Sequence, residues 1–346
     1  MSWILTNARE TFTRHREQWN ELNKSLGNHL LLDSGFVEIL LRHFASANTL
    51  LGVLNNGSDS GMALVEPVRQ GFWQTFQPSQ APLGLILLDS QDDIVAQIHG
   101  LIRSLPGYAL GLALMQQDSD FTLFGDMNNG DLERLDYITT SRLTLSGTFE
   151  EYWKTRSHNL VHNLARQRRR LADQHARLEL ITDRSAERVA EGIRLYGQLE
   201  SAGWKGKEGT AITADNVQGQ FYRELLEHFC DGGEAVIYRL DMNGTPIASA
   251  LCLERSGTLI VLKITYDETM TRCSPGLLLH EEMLKSLFDE NQIKVIEYYG
   301  RYSDWHKKWT DDTRSMYHVN VYRFGWVPAA RRILKKSTDL LHELRS

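Results

Sequence analysis

The amino-acid sequence predicts an α/β protein (α+β, with mixed strand direction) of two domains, and three observations carry that prediction. The chain is 346 residues long, more than one hydrophobic core usually organises. Both halves read in one order: helices, antiparallel strands, a helix, then further strands. That order suits a sheet of mixed strand direction better than a doubly wound parallel one. It also hints at duplication, although no clear sequence repeat accompanies it. Finally, no Gly-x-Gly-x-x-Gly and no Gly-x-x-x-x-Gly-Lys-Ser/Thr run occurs, so dinucleotide and P-loop folds lack their fingerprints. Gly-x-Ser-x-Gly and His-Glu-x-x-His are missing as well.

The first domain is expected over residues 1–146. Apolar periodicity predicts helices over 8–26 and 35–45 ("GFVEILLRHFA"), then strands over 48–54, 61–69 and 83–88. A helix over 91–103 leads to strands near 108–115 and 135–145. The second domain, 147–346, opens on "TFEE", a capping box of Thr148 with Glu151, and continues as one long basic helix to about His175. Over 186–200, Val189, Ile193, Tyr196 and Leu199 share a helical face, and another helix spans 216–229. Strands 235–240 and 246–254 are joined by "DMNG", a hairpin signal. Strand 258–266 precedes a helix over 275–289, where Leu279, Met283 and Leu287 stack at intervals of four. Strands 293–299 and 316–324 and a closing helix 328–344 complete the chain.

Composition narrows the class of function. Apolar content of 42% and charged content of 24% are those of a soluble globular protein. A net charge of −6 argues against general nucleic-acid binding, and no DNA partner is expected. Three dispersed cysteines (Cys230, Cys252, Cys273) suggest neither a disulfide framework nor a metal site. "MSWILTNARETF" lacks the features of a signal peptide, and the longest apolar runs, 83–88 and 108–115, are too short to span a bilayer as helices. A cytoplasmic protein is the expectation.

The chemistry gathers around "TYDETMTRCSPGLLLHEEML" (265–284). A strand leaves the sheet through small and polar residues just as a helix begins behind "SPG". One reading is a cap, with Ser274 as N-cap and Pro275 at the first helical position. The other is an anion site, because a helix start offers unpaired N–H groups and a positive dipole end.

This stretch, with the later "IEYYGRYSDWHKKW", the basic "NLVHNLARQRRRL" and "ESAGWKGKEGTAI" (200–212), resembles the FemAB/CelD-like (BioF-like) branch of the GNAT acyl-CoA N-acyltransferase superfamily. The resemblance covers about 148–324 and is thinner over 1–145, where "LLLDSGFVEILLRHF" is similar to the branch's N-terminal region. It implies two tandem GNAT-like domains and an acyl-CoA, such as acetyl-CoA, as cosubstrate without a metal. It also implies that Thr265 and Tyr266 lie near the pantetheine, and Arg272, Ser274, Gly276 and Leu277 at the pyrophosphate. The chain departs from the branch's pattern where Gly300 precedes Arg301 and His306 stands in place of a common Lys, with Lys307 one place on.

Amide-forming acyl transfer needs a base for the acceptor amine and an acid for the leaving thiolate. Glu297 is the expected base, with a salt bridge to Arg301 or Lys307 as its plainer alternative. Tyr299 is a candidate acid or a rim aromatic; His306 is a base or a structural histidine; Asp267 is a turn residue close enough to assist. In the loop "WKGKEG" (204–209), Trp204, Lys205 and Glu208, together with Lys307, are candidates for contacting the acceptor. The basic helix (Arg166, Arg168, Arg169, Arg170) reads as a solvated face over a buried stripe of Leu160, Leu164 and Leu171, or as contact with a phosphate-bearing acceptor, tRNA or an anionic membrane surface. Arg331, Arg332, Lys335 and Lys336 give the closing helix a similar face, suited to docking or peripheral membrane contact.

The first domain is expected to have a degenerate donor site, since Asp89, Asp92 and Asp93 stand where the second has Arg272, Ser274 and Gly276. The function expected is acyl transfer from acyl-CoA to a small-molecule or glycan-precursor amine. The alternatives are a FemAB-like transferase using aminoacyl-tRNA and a catalytically silent partner-binding protein of exopolysaccharide assembly.

Overall fold

The computed structural model describes residues 2–56, 59–89, 94–121, 131–270 and 272–330, and divides the chain into two compact units. The first comprises Met1–Ile138 and Ser315–Ser346, the second Thr139–Arg314. This differs from a boundary at 146, because the last strand, expected in the second domain, belongs to the first unit from Ser315 onward.

The first unit begins with β1 (Trp3–Asn7), α1 (Ala8–Thr11), α2 (Arg16–Ser25) and α3 (Ser34–Phe44). The single helix expected over 8–26 is broken by a 3-10 turn, Phe12–His15. At the break the Thr11 hydroxyl donates to the Asn7 carbonyl at 2.7 Å, competing with the backbone ladder. Strands β2 (Leu50–Asn56), β3 (Asp59–Arg69), β4 (Phe72–Thr75) and β5 (Ile86–Asp89) follow, then α4 (Ile94–Ser104), β6 (Gly111–Asp118) and the start of β7 (Leu132–Thr144).

The second unit contains the end of β7, α5 (Phe149–Lys154), α6 (His158–Asp173), β8 (Leu178–Asp183), α7 (Ala186–Ala202), α8 (Trp204–Lys207), α9 (Val217–Cys230), β9 (Ala235–Met242), β10 (Thr245–Arg255), β11 (Thr258–Tyr266), α10 (Pro275–Glu290) and β12 (Val295–Tyr298). β13 (Thr313–Tyr322) returns to the first unit, where Tyr322 pairs with Gly111 and Met316 with Asp118. Val319 and Val321 are thereby buried with Leu112 and Leu114 of β6.

The sheet is mixed, as expected. β4–β6 and β11–β12 are parallel pairs, and the other described pairs are antiparallel. Sequence reading missed β1 and β8 because each is flanked by a single described strand and buries little, which blurs alternation. The long basic helix is really α5 and α6. Thr148 and Glu151 do form the capping box, but Ser157 starts a new helix by accepting the Leu160 N–H at 3.3 Å. The "WKGKEG" stretch likewise opens as the helical turn α8 rather than as an irregular loop.

In the second unit helices cover both faces of the strands. Leu160, Leu164 and Leu171 of α6 join Leu278, Leu279 and Met283 of α10 over Tyr238, Leu240 and Cys252. On the other face α7 approaches so closely that a Cβ on Gly192 would stand 2.5 Å from Ile237. Arg168, expected on a solvated face, instead clasps Glu281 of α10 through Nε and Nη2 at 3.0 and 2.7 Å and also meets Glu282. The closing helix 328–344 lies outside the described residues from 331 on. Among the described residues no helix is long and apolar enough to cross a membrane.

In the first unit β3 pairs with two strands in succession: Val65 lies opposite Thr75 of β4, and Ala63 opposite Ile86 of β5. The chain between Phe76 and Leu85 therefore leaves the ladder, and Phe76, Ala81, Leu83 and Leu85 are buried. Its return is fastened to β6, where the Gly84 N–H donates to the Gln116 carbonyl at 3.1 Å. A Cβ on Gly84 would lie 2.1 Å from the Met115 carbonyl oxygen. Gly84→Ala must displace backbone there and is expected to destabilise the protein by about 2 kcal/mol or more, read as a lower urea midpoint.

Candidate functional site

β11 and β12 pair only from Thr258 opposite Val295 to Ile260 opposite Glu297. β11 then continues to Tyr266 without β12 beside it. Its other edge stays on β10, but the register slips: Leu251 faces Lys263 while Cys252 faces Val261. Leu262 is the extra residue of a β-bulge, and bulges bend a strand and sharpen its twist. Between the parted strands lies a cleft of about 420 Å³, lined among others by Leu262, Lys263, Tyr266, Gly276, Tyr298 and His306.

The start of α10 borders this cleft. Ser274 is the N-cap by position, yet its side chain makes no capping hydrogen bond. Its backbone is left-handed (φ 51, ψ 57), and its carbonyl receives the N–H groups of Leu277 and Leu278 at 3.0 and 3.1 Å. The side-chain cap expected from "SPG" is thus replaced by a backbone turn. Pro275 has no N–H to satisfy, while the Gly276 amide, in the first turn, has no acceptor within the helix. A Cβ on Gly276 would lie 3.0 Å from the Tyr266 ring, so glycine lets the first turn close against that aromatic.

Beneath the cleft is a buried polar contact that sequence reading missed. Tyr298 Oη and His280 Nε2 are 2.9 Å apart, and both residues are buried. Trp309 and Trp305 enclose the His280 ring at centroid distances of 4.4 and 4.9 Å. Burial, helped by the neighbouring His306, pushes the His280 pKa down to about 3, so the imidazole is neutral. Its only signal in the sequence is a histidine inside the apolar helix "LLLHEEML".

His306 lines the cleft. Its Nδ1 accepts the Ser303 backbone N–H at 3.2 Å and lies 2.9 Å from the Ser303 hydroxyl, which leaves the proton on Nε2. Burial lowers its pKa. A neutral imidazole with Nδ1 engaged and its proton on Nε2 is suited to donating a hydrogen bond.

Glu297 is not among the residues lining the cleft. Its ion-pair partner is neither Arg301 nor Lys307 but Arg314, with Oε2 and Nη1 2.8 Å apart and both side chains buried. Lys307 pairs with Asp304 at 2.9 Å. Tyr299 is buried with the Arg314 guanidinium 5.3 Å from its ring centre, so it packs the ion pair. Asp267 accepts the N–H and hydroxyl of Thr269 at 2.8 and 2.6 Å, the turn role weighed for it.

Of the expected donor residues, Tyr266 and Gly276 line the cleft. Thr265 is buried, Leu277 packs on the core beneath α10, and Arg272 is exposed before the helix. Of the expected acceptor residues, Trp204, Lys205 and Glu208 lie at α8, while Lys307 lies in the turn His306–Lys308. Trp204 is exposed and its N–H donates to Glu268 Oε2 at 3.0 Å, Lys205 pairs with buried Glu200, and Glu208 is exposed at the end of the turn. Among the described residues no cluster of His, Cys, Asp or Glu could hold a metal ion.

Parted parallel strands, a bulge at the parting and a helix start beside the gap define a GNAT-type acyltransferase fold. Residues 158–308 match the family described as an acetyltransferase (GNAT) domain. No curated protein matches the chain. Among solved structures it is similar to the C-terminal domain (DUF2156) of a putative lysylphosphatidylglycerol synthetase from Agrobacterium fabrum, with 13% identity, 95% of this chain and 97% of that one covered, and a TM-score of 0.57. L-PGS from Bacillus licheniformis is similar at 11% identity, 92% and 96% coverage and a TM-score of 0.52. FemX is similar at 9% identity, 93% and 98% coverage and a TM-score of 0.54. At such identities the likeness is one of fold. Residues 158–308 thus carry a GNAT-type acetyltransferase domain, and over the rest of the chain the likeness is one of fold.

The buried histidine gives a pH dependence. Folded His280 takes its proton near pH about 3, whereas an ordinary histidine does so near 6.5. Between these values the unfolded chain binds more protons, so stability falls as pH drops from about 6.5 towards 3. His280→Gln, which keeps a polar partner for Tyr298 but does not titrate, is expected to flatten that slope in urea unfolding across the window.

Proposed function

We propose that this protein transfers an acyl group from acyl-CoA, such as acetyl-CoA, to an amine on a small molecule or glycan precursor, and that the cleft of the second unit receives the donor. The observation that carries the reading is the departure of β11 from β12 beside the glycine-bearing start of α10. A parted strand offers unpaired backbone groups to an amide-rich pantetheine. The first turn of α10, with Gly276, Ser274 and nearby Arg272, suits a pyrophosphate. Bound there, acyl-CoA would supply an activated thioester. The Nε2–H of His306 is placed by this reading to stabilise charge that develops during transfer. Glu297, paired with Arg314, stays the residue proposed to take the amine proton, directly or through water. Trp204, Lys205 and Glu208 of the α8 region are the proposed acceptor contacts, with Lys307 a peripheral one. A cytoplasmic site of action belongs to the same reading.

The first unit is proposed to be silent towards the donor. Its parallel pair, β4 and β6, has the comparable position, but the segment 76–85 is fastened to β6 through Gly84. The expectation about Asp92 and Asp93 concerns residues outside those described. A second reading, transfer from aminoacyl-tRNA, draws on the FemAB-like fold and on the exposed arginines of α6, Arg166, Arg169 and Arg170.

Calorimetry with acetyl-CoA tests the donor. One molecule is expected to bind per chain, and Arg272→Glu is expected to weaken binding by about 1–3 kcal/mol, the range for a charged hydrogen bond. Retention of tRNA without acetyl-CoA binding would favour the second reading, and binding of neither a catalytically silent protein. With an acceptor in hand, Glu297→Gln is expected to lower kcat by about 10²–10⁴-fold while leaving donor affinity unchanged. Parental turnover across pH would return Glu297 to a structural role.

A further inference from the structure

Lys263 stands on the bulged, parted stretch of β11 and lines the cleft, yet the donor reading gives it no task. Tyr266, on the same strand, turns to the first turn of α10. Lys263 turns the other way: its Nζ lies 5.9 Å from the ring centre of Tyr222 on α9, within the electrostatic reach of Glu200 and Lys205. It therefore addresses the face of the strand opposite α10.

The charges there do not balance. Glu200 is the carboxylate that acts on Lys263, but it is already engaged. It is buried, pairs with Lys205, accepts the Ile212 N–H at 2.7 Å and lies 3.4 Å from the Tyr196 hydroxyl. Two ammonium groups thus share one carboxylate. Among the described residues no hydrogen bond or ion pair reaches the Lys263 ammonium. Burial and the Lys205 charge lower its pKa, the response of a cation left without a counter-ion. A half-buried ammonium beside an open cleft is held against its solvation preference unless an anion joins it.

We propose that Lys263 binds an anionic group, phosphate or carboxylate, of the acceptor, on the side of the cleft away from α10. The proposal rests on the acyltransferase reading and gives its acceptor a charge class. Trp204 and Lys205 of α8 border the same face, and Glu268, just beyond β11, holds α8 in place through the Trp204 N–H. An acceptor whose amine sits near an acidic group would be oriented by that group, with the amine presented to the cleft.

The test is the rate of reductive methylation of Lys263 in the full chain, read by peptide mass spectrometry with coenzyme A present to fill the donor side. Separate arms contain inorganic phosphate, succinate, or chloride at equal ionic strength. Phosphate or succinate is expected to slow labelling of Lys263 several-fold relative to chloride, because an anion beside the ammonium favours its protonated, unreactive form, and the arm that protects tells the two sources apart. Labelling of exposed Lys24 and Lys154 serves as the reference. In calorimetry Lys263→Met should lose the heat of binding that anion, Lys263→Arg should keep it, and both should retain the parental affinity for coenzyme A. Equal labelling in all three arms overturns the proposal while leaving the donor reading intact. Loss of coenzyme A affinity in Lys263→Met overturns it by moving Lys263 to the donor side. A wild-type chain that binds no coenzyme A would sink the donor reading, and the proposal with it.

Discussion

The separation of β11 from β12 after Ile260 is the constraint from which the chemistry of the second unit follows. Backbone N–H and C=O groups are obligatory hydrogen-bonding groups, and a strand that loses its neighbour must give them to water, side chains or a ligand. The separation is held from several sides. The bulge at Leu262 bends β11 while β10 still pairs along its other edge. β12 is drawn beneath α10 by the contact of Tyr298 with His280, and the Thr140 hydroxyl donates to the Tyr298 carbonyl. Gly276 lets α10 start against Tyr266 instead of standing away from it. The cleft is thus part of the packed core, and its shape is maintained by the same side chains that stabilise the unit.

Electrostatics around the cleft are sorted by face. Towards α10 the polar groups are neutral: His280 by burial, and His306 by burial and the Ser303 amide. Towards α7 and α9 the groups are ionic, with Glu200, Lys205 and Lys263 close together. Arg314 and Glu297 neutralise each other, a pair whose breaking would leave a buried charge uncompensated.

The first unit reaches the same parallel pairing and resolves the backbone problem differently. Its chain leaves β3 after Phe76, returns at Leu85, and gives the Gly84 N–H to Gln116 on β6. Apolar side chains from the excursion fill the interior. In this unit the chain itself supplies the partner for the edge of β6.

Much of the fold was legible in the residues. The Thr148–Glu151 capping box, the Asn243–Gly244 hairpin with positive φ at both positions, the buried face of α7 and the helix behind Pro275 all depend on neighbours a few positions away. Tyr266 and Gly276, singled out through motif order, both line the cleft. What the sequence could not decide are the meetings of distant segments. Glu297 finds Arg314, Arg168 finds Glu281, β13 joins β6, and Lys263 is left beside a carboxylate already taken by Lys205. Periodicity and turn chemistry are local properties of the chain, so the sequence by itself determined which segments are helix or strand and which faces are apolar. Partner choice, burial and charge balance depend on the whole fold, because desolvation and pairing energies are set by whatever long-range packing brings within a few ångströms, and only the tertiary structure decided those.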